Sequence, residues 1–238
     1  MRVIIIAGGM GTRISEETGD KPKPMVLINK KPILWHLMNI FSTQDLHEFI
    51  ISTGYKSEII ENWVQNNEIL DLNTNKMKIS VINTGLHTQT GGRISEVMKL
   101  FPDESFIVTY GDGLANIPIK ELLNFHSSHG NLATVTAVRP PARFGYMKIK
   151  NNYVTHFGEK NQSDEGWING GFFVLNSKVK DYVKSVDEPF ETGALVRLSA
   201  ESKLVAFLHK GYWQPMDTLR EKNLLETESM LATPAWLR

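Results

Sequence analysis

Short runs rich in isoleucine and valine recur along the first half of the chain, and a stretch with helical periodicity follows nearly every one. Residues 2–7, 48–53, 78–83 and 105–110 read as buried strands. Residues 32–42, 57–66, 92–101 and 119–128 read as helices. Ile59, Ile60, Trp63 and Val64 share one face of the second helix; Ile94, Val97, Met98 and Phe101 share one face of the third. Pro32 stands at the start of the first, where its missing N–H costs nothing. This alternation predicts an α/β fold, a Rossmann-like and mostly parallel sheet with helices on both faces. After residue 130 the rhythm changes. Strands are predicted at 132–138, 146–149, 153–158 and 168–175, joined by short links that favour antiparallel pairing. Helices are predicted at 177–184, 192–201 and 217–231. A smaller antiparallel lobe would grow from that second half. No stretch reads as a linker, so residues 1–238 are read as one domain.

Charge and composition narrow the function. Twenty-six basic residues balance 26 acidic ones among 238. That balance argues against a nucleic-acid binder working through bulk charge, although a few placed cations suffice for a small anion. The absence of cysteine excludes disulfides, thiolate metal sites and a cysteine nucleophile. No segment approaches the roughly 18 apolar residues of a spanning helix, and the apolar run at the start is too short for a signal peptide. A cytoplasmic protein with no membrane partner is expected.

The loop after the first predicted strand reads AGGMGTRISEETGDKPKPM, from Ala7 to Met25. In parallel sheets, ligands bind beyond the carboxyl ends of strands. Gly8, Gly9 and Gly11 let backbone N–H groups approach a ligand and form an anion-binding concavity. Arg13 adds a donor fork suited to phosphate oxygens. Lys23 lies between two prolines, so less entropy is lost when it binds. Neither familiar phosphate-loop pattern is present. Ile14 stands where G-x-G-x-x-G needs its third glycine, which sets a dinucleotide-binding oxidoreductase aside. Two carboxylates stand out. Asp112, in YGDG, follows a strand at the expected active edge. Asp217, in PMD, begins the last predicted helix. Taken singly, each also fits an ordinary role, a turn aspartate and a helix N-cap. His36, His126 and His129 have no metal-like spacing and read as structural or exposed.

The motifs GGMGTR, KPKPM, KPILWH, TGGR, YGDG, RPPARFG, INGGFFVLN and WQPMDTLRE, spread over residues 8–221, resemble those of the sugar-phosphate nucleotidyltransferases, and within them the glucose-1-phosphate cytidylyltransferase subgroup. The resemblance implies transfer of CMP from CTP to a sugar 1-phosphate with release of pyrophosphate. It implies Mg2+ held by Asp112 and Asp217. Arg13 and Lys23 would bind the triphosphate, and Lys160 the sugar phosphate. Ala7, Gly8, Gly9, Met10, Gly11, Thr12, Thr90, Gly91, Gly92, Arg93 and Gly111 would complete the nucleotide side. Tyr110, Gly145, Glu159, Asn169, Gly170, Glu191 and Trp213 would form the acceptor side, in the sugar-binding lobe. Residues 1–130 would thus serve mainly the nucleotide and 131–238 mainly the acceptor.

The sequence departs from the subgroup's pattern in three places. Asn161 replaces the usual proline after Lys160. Gly193 and Ala194 replace a proline-containing stretch after Glu191. The segment NNEILDLNTNKMKISV is shorter than its counterpart, in a region that helps relatives assemble, so a homo-oligomer is left open. These departures leave other acceptors open, including another sugar 1-phosphate, phosphocholine or a phosphorylated amino acid. UTP, dTTP or GTP in place of CTP also stays open. So does a catalytically silent nucleotide-sugar sensor, although all four charged candidates, Arg13, Lys23, Asp112 and Asp217, are present.

Overall fold

The computed structural model describes residues 1–66, 77–140, 145–150, 152–159 and 166–238. The strands are β1 (Arg2–Ile6), β2 (Leu27–Ile28), β3 (Lys31–Pro32), β4 (Glu48–Thr53), β5 (Lys78–Asn83), β6 (Phe106–Tyr110), β7 (Gly113–Ala115), β8 (Ala133–Val138), β9 (Gly145–Lys150), β10 (Tyr153–Glu159), β11 (Ile168–Leu175), β12 (Leu204–Leu208) and β13 (Trp213–Pro215). The α-helices are α1 (Ser15–Thr18), α2 (Ile33–Ser42), α3 (Ser57–Gln65), α4 (Thr90–Lys99), α5 (Ile119–His129), α6 (Ala194–Ala200) and α7 (Leu219–Ser229).

A seven-stranded sheet in the order β12-β8-β11-β6-β1-β4-β5 carries the fold. β1 pairs in parallel with both β4 and β6, and β4 with β5. The inner strands are apolar throughout because both of their faces are covered. Val3, Ile5, Phe49, Ile51 and Ile107 pack under α2, α3 and α5. Their neighbours Ile4, Ile6, Ile50, Phe106 and Val108 pack on the other face, under α4 and α6. The period-two alternation of a strand sends successive side chains into two separate cores.

The second half follows the expected change of rhythm with one redistribution. β11 runs antiparallel to β6 and to β8, so both late strands extend the main sheet. β9 and β10 form a separate antiparallel hairpin. β12, which the sequence pattern did not show, closes the sheet edge in parallel with β8. Its five residues are half-buried or exposed, without the unbroken burial of the inner strands. The helix predicted at 177–184 is a 3-10 turn over Ser177–Tyr182. Among the described residues, no helix is long and apolar enough to cross a membrane. Residues 67–76, the core of the shortened segment, lie outside the described residues, as do Lys160 and Asn161.

Phe41 of α2 is fully buried and meets Phe49 and Phe172 at centroid distances of 6.4 and 6.2 Å. Phe41→Ala is expected to cost about 3–5 kcal/mol. Equilibrium urea unfolding should show a lower midpoint with an unchanged slope.

Candidate active site

The parallel strands β1, β4 and β6 end at one edge, and the residues that follow them gather there. Gly111 N–H donates to the Ile6 carbonyl at 3.0 Å, and Ala7 N–H to the Ser52 carbonyl at 2.8 Å. Next to this edge β7 and β13 form a short antiparallel ribbon, Gly113 opposite Pro215 and Ala115 opposite Trp213. Met216 N–H donates to the Asp112 carbonyl at 2.8 Å. The ribbon brings Asp112 and Asp217 together across a long stretch of sequence.

Lys23 lies between them. Its Nζ donates to Asp112 Oδ2 and to Asp217 Oδ1, both at 2.7 Å. Arg13 donates to the other oxygen of Asp217, Oδ2, at 2.8 Å. Two cations and two carboxylates thus form one neutral cluster. The lysine side chain is only 10% exposed, whereas that of Arg13 is 76% exposed. Burial pulls the Lys23 ammonium down, but the two carboxylates more than offset this and hold it above its ordinary value. Lys23 therefore stays charged at neutral pH. Asp217 is not the cap of the last helix. Thr218 is, with Glu221 completing a capping box, and the Glu221 carboxylate also accepts from Asp217 N–H at 2.7 Å. Asp217 is left with its carboxylate directed at the two cations.

A cavity of about 960 Å³ opens above this cluster. Ala7, Gly8, Gly9, Met10, Gly11 and Thr12 form one wall with Arg13 and Lys23. Thr90, Arg93, Gly111 and Asp112 continue it. Tyr110, Asn169, Gly170, Glu191 and Trp213 line it as well. There the Tyr110 hydroxyl donates to Glu191 Oε1. Asn169 Nδ2 donates to the same hydroxyl at 3.4 Å, and its Oδ1 accepts from Gly171 N–H at 2.8 Å. Burial and then the Glu191 charge push the Tyr110 phenol far up, so it remains a donor. Trp213 Nε1 donates to the Gly170 carbonyl at 2.7 Å.

A profile of the nucleotidyl transferase family matches residues 2–230. The chain belongs to the nucleotidyl transferase family. It is 43% identical over 243 residues to glucose-1-phosphate cytidylyltransferase of Salmonella typhimurium, with 95% of each chain covered. It is 41% identical over 246 residues to the probable glucose-1-phosphate cytidylyltransferase of Bacillus subtilis, covering 97% of this chain and 96% of that one. The crystal structure of HddC from Yersinia pseudotuberculosis superposes with a TM-score of 0.71 at 27% identity, over 96% of this chain and 99% of that one. As in the family generally, the chain is a nucleotidyltransferase.

Several residues of the family motifs have other duties than the sequence suggested. Gly9, unlike Gly8 and Gly11, faces open space, with nothing within 4 Å of an added Cβ. An added Cβ on Gly8 would lie 2.2 Å from the Arg93 guanidinium, so that glycine makes room for a side chain of the protein itself. Gly91 and Gly92 do not line the cavity. Their missing side chains let α4 pack on segment 186–190, where a Cβ would meet the Glu188 carbonyl at 2.6 Å and the Val186 carbonyl at 2.2 Å. That contact gives these two glycines a packing role besides the approach to a flat base expected of them. Gly170 likewise makes room for Val138 and the Thr136 carbonyl where β11 bulges against β8.

Arg93 is 3% exposed. It donates to the Thr53 carbonyl and Thr84 Oγ1 at 2.7 Å, to the Gly8 carbonyl at 3.0 Å and to the Leu86 carbonyl at 3.5 Å. Burial alone pulls its guanidinium below the ordinary value. Its fork is engaged with the chain rather than reaching for a ligand. Leu86, His87, Thr88 and Gln89 line the cavity but were not singled out in the sequence. The signal was their place just past β5, at the same active edge. Lys160 lies outside the described residues, and Gly145 and Glu159 pair with each other at the open end of the β9–β10 hairpin.

Arg93→Met would remove the buried charged donor that ties the Gly8 and Thr53 carbonyls together, although each keeps a backbone donor, Tyr55 N–H and Thr84 N–H. A stability loss of about 1.5–3 kcal/mol, the scale of hydrogen bonds to a charged group, is expected. Urea unfolding checks it, and an unchanged midpoint would refute the clamp.

Proposed function

We propose that this chain transfers CMP from CTP to glucose 1-phosphate, with a bound divalent cation, magnesium by this reading, and releases pyrophosphate. The observation that carries the reading is the cluster of Lys23, Arg13, Asp112 and Asp217 in a single cavity that also presents Glu191, Tyr110 and Asn169. The first group suits a triphosphate, the second a polyhydroxylated acceptor. The high identity to glucose-1-phosphate cytidylyltransferases supports the choice of both substrates.

The donor set fits a hard cation. Two carboxylate oxygens already converge on one ammonium at 2.7 Å, and magnesium takes one or two carboxylates together with water and phosphate oxygens. Asp112 and Asp217 would hold it. Bound there, it would neutralise charge that builds on the departing pyrophosphate. Lys23 and Arg13 bind the triphosphate, Lys23 nearest the α-phosphate. Gly9, Met10, Gly11 and Thr12 give the phosphates a backbone cradle, with Ala7, Gly8 and Gly111 beneath it. Arg93 serves the nucleotide through the Gly8 carbonyl it holds. Lys160 neutralises the acceptor phosphate. Gly145, Glu159, Asn169, Gly170, Glu191 and Trp213 enclose the sugar.

No general base is required. A phosphate monoester has a second pKa of about 6, so the attacking oxygen is ionised at neutral pH. The work left to the protein is in-line placement of two anions and neutralisation of their charge. Residues 1–130 supply mainly the nucleotide side and 131–238 mainly the acceptor side.

The test is pyrophosphate release with CTP, UTP, dTTP, GTP and ATP against a panel of sugar 1-phosphates and small phosphomonoesters. GTP belongs in the panel because HddC has been crystallised with GMP-PN. A dominant signal for CTP with glucose 1-phosphate is expected, abolished by a chelator and restored by magnesium. Activity only with another nucleotide or acceptor would reassign the substrates; none in any combination would favour a silent sensor. Lys23→Ala is expected to lower kcat by about 10²-fold or more, as loss of a single transition-state donor does. Asp217→Ala that kept full magnesium-dependent turnover would remove the metal assignment.

A further inference from the structure

Thr90 opens α4 inside the TGGR motif, where a nucleotide contact was expected, yet its hydroxyl is turned to Glu191. It donates to Glu191 Oε2 at 2.8 Å. It also accepts from Phe190 N–H at 2.8 Å. One side chain therefore fixes both the carboxylate and the backbone that carries it. Around it, Gln89 N–H donates to the Val186 carbonyl at 2.9 Å and Gly91 N–H to the Glu188 carbonyl at 3.0 Å. These bonds lay segment 186–190 along the first turn of the helix. Nor is Thr90 a cap, because no side-chain cap closes α4.

The other oxygen of Glu191 accepts from Tyr110. Among the described residues, each oxygen thus has one protein donor, and the carboxylate is gripped from two sides. A carboxylate oxygen can accept more than one hydrogen bond. The remaining capacity belongs to the cavity that Glu191, Thr90 and Tyr110 line together. A carboxylate held this way accepts from vicinal hydroxyls without losing rotamer freedom on binding.

We infer that Thr90 is a positioning residue for the acceptor, aiming the Glu191 carboxylate at sugar hydroxyls, and not a residue that reads the cytosine base. The inference rests on the proposed function, because it takes Glu191 to face the sugar. It places a nucleotide-motif residue in charge of the acceptor and explains how one helix serves both substrates: Arg93 on the buried side holds the nucleotide loop, and Thr90 at the first turn holds the acceptor carboxylate.

Steady-state kinetics of Thr90→Val, Thr90→Ser and Glu191→Gln test it, with CTP and glucose 1-phosphate varied in turn. Thr90→Val should raise the KM for glucose 1-phosphate about 10-fold, the scale of one hydrogen bond to a charged group, and leave the KM for CTP unchanged. Thr90→Ser retains the hydroxyl and should restore the wild-type value. In the Glu191→Gln background, Thr90→Val should add little, because the carboxylate it serves is gone. A shift in the CTP KM, or equal KM values for Val and wild type, would overturn the inference. So would failure of Ser to rescue. Should Thr90→Val not fold, Thr90→Ala compared with Thr90→Ser carries the same reading. Failure of the proposed function is distinguishable: wild type would give no turnover with this substrate pair before any variant is compared, and the inference would fall with it.

Discussion

A single buried guanidinium ties the active edge together. Arg93 reaches the carbonyls of Gly8 and Thr53 and the hydroxyl of Thr84, which follow or end β1, β4 and β5. Among the described residues, its partners are carbonyl and hydroxyl oxygens. A charge taken out of water is tolerable only where hydrogen bonds replace its hydration. The arrangement needs Gly8 and Gly54, whose added Cβ atoms would strike the guanidinium at 2.2 and 2.6 Å. The glycines of the first loop and the arginine of a distant motif are thus two halves of one device. It fixes the loop on which Gly9, Met10 and Gly11 are displayed.

The second organising element is the ribbon of β7 and β13. It costs little chain, and it sets the Asp112 carbonyl against Met216 N–H. The carboxylates on either side then share Lys23. Opposite charges this close in a partly buried site are strongly coupled, and the cluster is neutral as a set. The site can therefore be assembled during folding without leaving an unpaired charge in the sheet edge. A triphosphate would bring its own negative charge to the same cations, and a divalent cation its positive charge to the same carboxylates. The cluster is built from the groups that both ligands would use.

The helix α4 shows how packing reassigns a motif. In TGGR, the residue types suit a nucleotide loop. In the fold, Gly91 and Gly92 are consumed by contact with segment 186–190, Arg93 by the strand ends, and Thr90 by Glu191. The departure at Gly193 belongs to the same region. A Cβ there would lie 2.1 Å from Oε1 of Glu188, which pairs with Arg197. That glycine keeps room for an ion pair that shapes the turn carrying Glu191.

Much of the site was legible in the sequence because its residue types announce their chemistry. A glycine-rich loop after a strand, an arginine, a lysine between prolines and an aspartate after a strand all sit where a parallel sheet puts its ligands. Periodicity also placed the inner strands and most helices, since burial on two faces demands unbroken apolar runs. What periodicity could not place were β12, as long as β1 but without its unbroken burial, and β2, β3 and the two strands of the ribbon, too short to carry a pattern. The sequence left Asp217 open as an N-cap, because Asp217 and Thr218 are both good caps and only the Glu221 capping box decides for Thr218. The sequence by itself determined the layers of the fold and the inventory of charged groups. Only the tertiary structure decided which groups meet. Contacts such as Lys23 with Asp217, Thr90 with Glu191 and Arg93 with Gly8 join residues far apart in the chain. They depend on strand order, register and the room left by missing side chains, and no local pattern encodes those.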